Sequence, residues 1–307
     1  MPFKSLAVSA LAVFSLATAG PALAQEEAQE HASDQSSKAP SQGPALWKVA
    51  DEDTTIYLFG TVHALPNGVE WYDEAIANAL SSSDTLVTEI GLEPGRENAA
   101  QEIMMEKALL ADGVTLRSLL DDDQTAQYET ALAGLGLPAE AFDRFEPWMA
   151  SITLTMLPLF QQGYSPDTGV EQILIRKARD KSRDALETAE FQVSVFDELP
   201  QDKQITLLME TVEGVDEIKP LIDKMVVEWI EGDADALAEL MNEGLSDPEL
   251  AEVLLYNRNA NWAEWIDQRL DTTPGTVFIA VGAGHLAGEK SVQDLLEDRD
   301  IEVERLQ

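Results

Sequence analysis

The 307-residue chain carries 57 acidic and 20 basic residues, a formal net charge of −37, on an otherwise ordinary globular composition of 45% hydrophobic and 25% charged residues. That acidic excess repels nucleic-acid phosphates and anionic bilayers, so both are poor partners, and the length suits one large domain or two small ones. Cysteine is absent, so neither disulfides nor a lipid-modified thiol contribute.

The N-terminus has Lys4, an apolar run from Leu6 to Ala19 too short to span a bilayer, and a small-x-small step at Ala22-Leu23-Ala24. It reads as a secretory signal peptide over residues 1–24, which predicts an exported, periplasmic mature protein. Residues 25–44 are rich in Ser, Gln and Glu and low in apolar side chains, so they read as a disordered linker that includes His31. No later segment reaches transmembrane length.

A domain spanning 45–307 is expected next. ALWKVAD and TTIYLFG flank the turn Asp51-Glu52-Asp53 as a hairpin. Trp71 to Leu80 has helical periodicity, and Asp84 to Ile90 (DTLVTEI) reads as a buried strand. From Arg96 to Asp271 the chain is mostly helical, cut by Gly and Pro breakers, with one short strand expected at Asp184 to Leu186. Thr276 to Val281 is a further buried strand, Val292 to Leu296 is helical, and IEVERL closes the chain as a strand. Strands thus cluster at both ends and must pair with each other to be buried. The expected fold class is α/β, a single domain whose mixed central sheet is built from both chain ends around a large helical insertion.

Of three histidines, the two outside the linker share one pattern. LFGTVH ends on His63 and AVGAGH on His285, each an apolar strand closing on Gly-x-x-His. Glycine at a strand end permits a tight turn, and the histidine is then presented at the rim, where open α/β sheets bind ligands. Pairing of the chain ends would make the two turns neighbours. Gly60, Thr61, Gly282 and Gly284 belong to these turns.

Carboxylates can complete such a site. Glu89 ends a mostly apolar strand, where a glutamate acts as a metal ligand or a general base, or simply caps the strand at the surface. Glu93 lies in the loop beyond. Glu171 follows Asp167-Thr168-Gly169 at a helix start, where the dipole alone would favour it, and Glu187 in DALETAEFQ has the same two readings. In YNRNANWAEWI, Arg258 shares a helix face with Leu254, Trp262 and Trp265, beside Asn259 and Asn261. A guanidinium there is paired, stabilises an anion, or extends its head to solvent over a packed stem. No HExxH, G-x-S-x-G or phosphate-binding GxxxxGK[ST] motif is present.

Taken in order, LFGTVH, the Glu89 strand, DTGVEQIL, ALETAEFQ, RNANW and AVGAGHLAG resemble the TraB/PrgY/GumN family, over about Pro44 to Leu306. That family is related to the Tiki proteases and, more distantly, to erythromycin-esterase and ChaN-like folds. The resemblance implies an exported metal-dependent hydrolase, a peptidase, with His63, His285 and Glu89 as metal ligands and a position open for water. Glu89 or Glu171 would take the water's proton, Arg258 or Asn259 would stabilise the oxyanion, and Glu187 would line the pocket. Mn, Co and Zn all suit such mixed ligands. The substrate would be a peptide or small molecule. The alternatives are a non-catalytic protein binding a peptide or haem, for which Tyr57 or Tyr72 is as eligible a ligand as histidine, and an accessory factor in envelope polysaccharide production.

Overall fold

The computed structural model describes residues 43–91, 97–243 and 247–307. The expected signal peptide, all but the last two linker residues, and Glu93 lie outside them.

Strands β1 (Leu46–Ala50) and β2 (Thr54–Thr61) form the expected antiparallel hairpin. The Asp51 carboxylate accepts the amides of Asp53 and Thr54 and so closes the turn. After β3 (Leu65–Pro66), α1 (Glu74–Ser82) starts at Asp73, whose side chain accepts from the Ile76 amide. This places Trp71 and Tyr72 before the helix, not in it. Strand β4 (Thr85–Ile90) follows. The insertion then runs through α2 (Glu97–Lys107), α3 (Asp122–Gly134), α4 (Pro147–Gln161), β5 (Tyr164–Ser165), α5 (Val170–Lys177), β6 (Ser182–Glu187), α6 (Ala189–Asp197), α7 (Gln201–Gly214), α8 (Ile218–Glu231) and α9 (Ala234–Glu243). The expected helix from Asp247 to Leu270 is α10 (Pro248–Ala251), a π-helical turn at Glu252–Tyr256, and α11 (Asn257–Thr272). The chain closes with β7 (Gly275–Gly282), α12 (Val292–Glu297) and β8 (Val303–Arg305).

The main sheet has the order β6-β4-β7-β2-β1-β8. Strands β6, β4, β7 and β2 are mutually parallel, and β1 runs antiparallel to β2 and β8. The two chain ends therefore meet at the sheet centre, as the buried strands at each end require, and one domain results.

Because side chains alternate along a strand, each central strand feeds two cores. Phe59, Leu86, Ile90, Phe278 and Ala280 pack with the helical insertion on one face. Ile56, Leu58, Val87, Val277, Ile279 and Val281 pack against Trp262, Ala263 and Ile266 of α11 and Val292 and Leu296 of α12 on the other. A third cluster, with Tyr128, Leu132, Leu154 and Leu208, joins α3, α4 and α7 away from the sheet. The result is a three-layer α/β arrangement in which the carboxyl ends of the four parallel strands share one edge.

Candidate active site

That edge gathers the two Gly-x-x-His turns and the carboxylates singled out with them. Thr61 ends β2, Glu89 nearly ends β4, Glu187 ends β6 and Gly282 ends β7. The register pairs Thr61 with Gly282, so the two Gly-x-x-His turns leave neighbouring strands side by side. Gly60 favours their closeness: a Cβ on it would sit 3.0 Å from the Ala283 Cα, so a larger residue would push the turns apart by a few tenths of an ångström. Trp229 of α8 donates its indole N–H to the Gly60 carbonyl at 2.8 Å and secures the same spot.

The two histidines nevertheless belong to different side-chain clusters. Thr61 lies two residues after Phe59 and shares its face, toward the insertion. There its hydroxyl donates to Glu171 Oε1 at the start of α5. His63 Nδ1 stands 2.6 Å from the same oxygen. The helix is docked by its backbone: the Val170 amide donates to the Val62 carbonyl at 3.0 Å, and a Cβ on Gly169 would overlap the His63 carbonyl. This close approach is what the DTGVE motif encodes. Burial pushes the Glu171 carboxyl up, but the charge of His63, its hydrogen bond and that of Thr61 outweigh this and hold it below the usual carboxylate range.

Glu89 lies two residues after Val87 and shares the opposite face, toward α11. Its Oε1 accepts the Gly282 amide at 2.6 Å, and its Oε2 accepts from Gln192 Nε2 at 2.9 Å and from Arg258 at 2.8 Å. Arg258 is 1% exposed, and all five of its N–H groups have partners. Nε and one Nη2 proton grip Glu187 in a two-pronged pair at 2.8 Å each, and the other Nη2 proton goes to Glu89. The Nη1 protons reach the Leu254 carbonyl of the π turn at 3.3 Å and His285 Nε2 at 3.2 Å. Trp262 adds its indole N–H to Glu187 at 3.0 Å and lays its ring 4.2 Å from the imidazole of His285.

This network fixes the tautomer of His285. The amide nitrogen of Asn259 donates to the Lys290 carbonyl at 2.9 Å, so its Oδ1 faces the histidine at 2.5 Å from Nδ1. A carbonyl oxygen accepts only, so Nδ1 carries the proton, and Nε2 accepts from Arg258. Lys290 supplies that carbonyl from a left-handed backbone position, φ 55°. Burial raises the Glu187 carboxyl, Arg258 pulls it down, and neighbouring Glu89 adds to the rise; the net position is above the usual range.

A metal implied by the resemblance would need His63, His285 and Glu89 together. Here both oxygens of Glu89 and Nε2 of His285 are spent on Gly282, Gln192 and Arg258, and His63 is turned to Glu171 on the other face. Among the described residues no three His, Asp or Glu side chains converge as a cation site. The donors as arranged do not fit such an ion, because the guanidinium of Arg258 already stands between the carboxylates and the imidazole. The oxyanion role expected of Arg258 meets the same geometry: with every N–H engaged, it orders Glu89, Glu187 and His285 instead. Asn259 likewise spends its amide on Lys290 and His285. The residue missed in the sequence is Gln192, 1% exposed and bonded to Glu89; its signal was an amide four residues after Thr188, on the inner face of α6.

At the carboxyl end of β6, around Glu187, lies an open cleft of about 750 Å³. It is lined by Gly91, Ile103, Ala185 to Phe191, and Asn261, and by neither histidine.

A model of the TraB/PrgY/gumN family matches residues 45–305. Among curated proteins, the chain is 23% identical over 272 residues to an "Uncharacterized protein" of Treponema pallidum (strain Nichols), covering 83% of this chain and 80% of the relative. It is 22% identical to "Uncharacterized protein YbaP" of Escherichia coli (strain K12), over 82% of this chain and 92% of the relative, and similarly to YbaP of Shigella flexneri, 22% over 78% and 87%. No solved structure matches it.

Proposed function

The chain belongs to the TraB/PrgY/gumN family, and we propose that it is an exported hydrolase that cleaves peptide bonds with His63 and Glu171 as its water-activating pair. The observation that carries this reading is the buried contact between His63 Nδ1 and Glu171 at the carboxyl edge of the parallel strands. A carboxylate held against Nδ1 sets the tautomer and stabilises the imidazolium, so the other ring nitrogen, Nε2, can take a proton. Water loses that proton to Nε2 as its oxygen adds to the substrate carbonyl carbon. The same proton then passes to the leaving amine as the C–N bond breaks. Thr61 and the N-terminus of α5 keep Glu171 ionised for this task. The Arg258 cluster fixes His285 and the Gly282 turn beside it.

The test uses purified protein treated with EDTA, then assayed on a peptide library with and without added Mn²⁺, Co²⁺ or Zn²⁺. Cleavage in the metal-free sample, lost by ~10²-fold or more in His63→Ala and Glu171→Gln, is the expected result. Activity that appears only on metal addition, and falls together with metal binding in Glu89→Gln, would replace this pair with a metal-bound water. No cleavage of any peptide under either condition would leave a binding protein.

A further inference from the structure

We infer that the cleft beside β6 seats an extended, basic and apolar peptide segment that pairs with this edge strand and runs from it toward His63. The inference rests on the hydrolase reading for its direction, but its binding site stands on separate residues.

Strand β6 is the end of the six-stranded sheet, and among the described residues only β4 pairs with it. An edge strand presents one row of backbone donors and acceptors that an incoming strand can take. The Ala185 amide is turned outward and donates to the Asp184 carboxylate at 2.8 Å. Alternation puts the amide of Glu187, two residues on, on the same outer side, where the cleft begins. Pairing therefore starts past Ala185 and lies along the lining residues Leu186 to Thr188.

The lining sets the chemistry of the occupant. Ile103 and Leu186 supply apolar surface, and Phe191 keeps 41% of its surface exposed at the rim, a place for an apolar side chain. The ionisable groups among the lining residues are Glu187 and Glu190, both acidic; Glu187 is already matched by Arg258, whereas Glu190 is exposed. Among the described lining residues there is no lysine or arginine, and the chain as a whole carries −37. A cationic side chain is attracted to this cleft, and an acidic one is repelled.

The distances suit a peptide. From β6 to β2 there are three strand spacings in the order β6-β4-β7-β2, about 14 Å at ~4.8 Å each. Four or so extended residues at ~3.3 Å cover that span. Past the end of β6 the segment would turn across the carboxyl edge, where about four further residues reach the level of β2 and His63.

The experiment measures anisotropy of three fluorescein-labelled, end-blocked hexapeptides, alternating Lys-Phe, Glu-Phe and Lys-Ser, on the wild type and on a His63→Ala protein that holds them uncut. Expected is binding of Lys-Phe at least tenfold tighter than the other two. Phe191→Asp and Glu190→Lys, both at exposed positions, should each weaken it tenfold or more, and so should N-methylation of alternate peptide amides. Equal binding of all three peptides, or binding unchanged in Phe191→Asp, would overturn the proposal. The two readings fail separately: Lys-Phe peptide bound at the cleft but never cut sinks the hydrolase, and peptides cut at the same rate by wild type and Phe191→Asp sink the cleft.

Discussion

Replacing Arg258 by leucine tests the cluster that organises the second histidine. The change keeps an apolar stem but removes five N–H contacts at once: two to Glu187, one to Glu89, one to the Leu254 carbonyl and one to His285. The side chains of Glu89 and Glu187 are 1% and 5% exposed, so both charges remain buried with no counter-ion. Breaking a buried pair in this way costs about 3–5 kcal/mol. With a urea slope of about 3 kcal/mol/M for a chain of this size, the midpoint at pH 7 should fall by about 1–1.7 M. The loss should shrink at pH 5, because burial favours the neutral Glu187 carboxyl and the variant can take up a proton there. Adding Glu187→Gln to Arg258→Leu should recover part of the stability, since the two residues touch and their effects cannot add. Arg258→Lys should fall between, because an ammonium keeps the charge but lacks the planar fork that grips Glu187 twice. The assay is urea unfolding followed by tryptophan fluorescence at both pH values. A midpoint shift under ~0.3 M with an unchanged slope, or strict additivity in the double variant, would refute the reasoning.

Three further outcomes are expected. Glu210 is pushed up to about 7 by burial and by Asp247 and Glu213, so its burden on the fold grows as pH rises from the ordinary carboxylate range to 7 and stays constant above; Glu210→Gln should therefore stabilise by about 1–2 kcal/mol at pH 8, allowing for partial exposure, and do nothing below pH ~4, as thermal melts would read. Gly169→Ala must push the His63 carbonyl away, so it should cost about 1–3 kcal/mol and reduce any peptide cleavage more than Gly214→Ala, where a Cβ meets no atom. Mass spectrometry of exported protein should find Gln25 as the first residue; retention of Met1 to Ala24 would end the export reading.

Much of this architecture is legible in the sequence. Buried strands at both ends with helices between already require a sheet closed by the chain termini, and the repeated Gly-x-x-His pattern marks the edge where they meet. Of strand β6 only Asp184 to Leu186 reads as a strand in the sequence, because an edge strand needs no continuous apolar run and SRDALE has none. The division of the histidines between two faces was hidden for a related reason. Strands such as VFIAV are apolar on both sides, so their sequence carries no parity, and only the core partners of Phe59 and Val87 show which way Thr61 and Glu89 point. The face shared by Leu254, Arg258 and Trp262 was predictable from helical spacing. The π turn that leaves the Leu254 carbonyl for Arg258 was not, since a one-residue widening of a helix has no composition of its own.

The pairing of β2 with β7 joins residues some 220 positions apart, Thr54 with Gly275 through Thr61 with Gly282. A ribosome adding ~5–20 residues per second takes roughly 10–40 s between making the two partners. During that interval the hairpin and β4 have no central neighbour, and Glu89 lacks the Gly282 amide and the Arg258 guanidinium that hold it. An N-terminal fragment that stops before β7 therefore lacks the strand on which β2 and β4 both pair. Loss of the last few dozen residues removes the middle of the sheet, not an appendage. The delay also defines a window in which the unpaired edges of β2 and β4 are open to a holdase, until β7 is delivered between them.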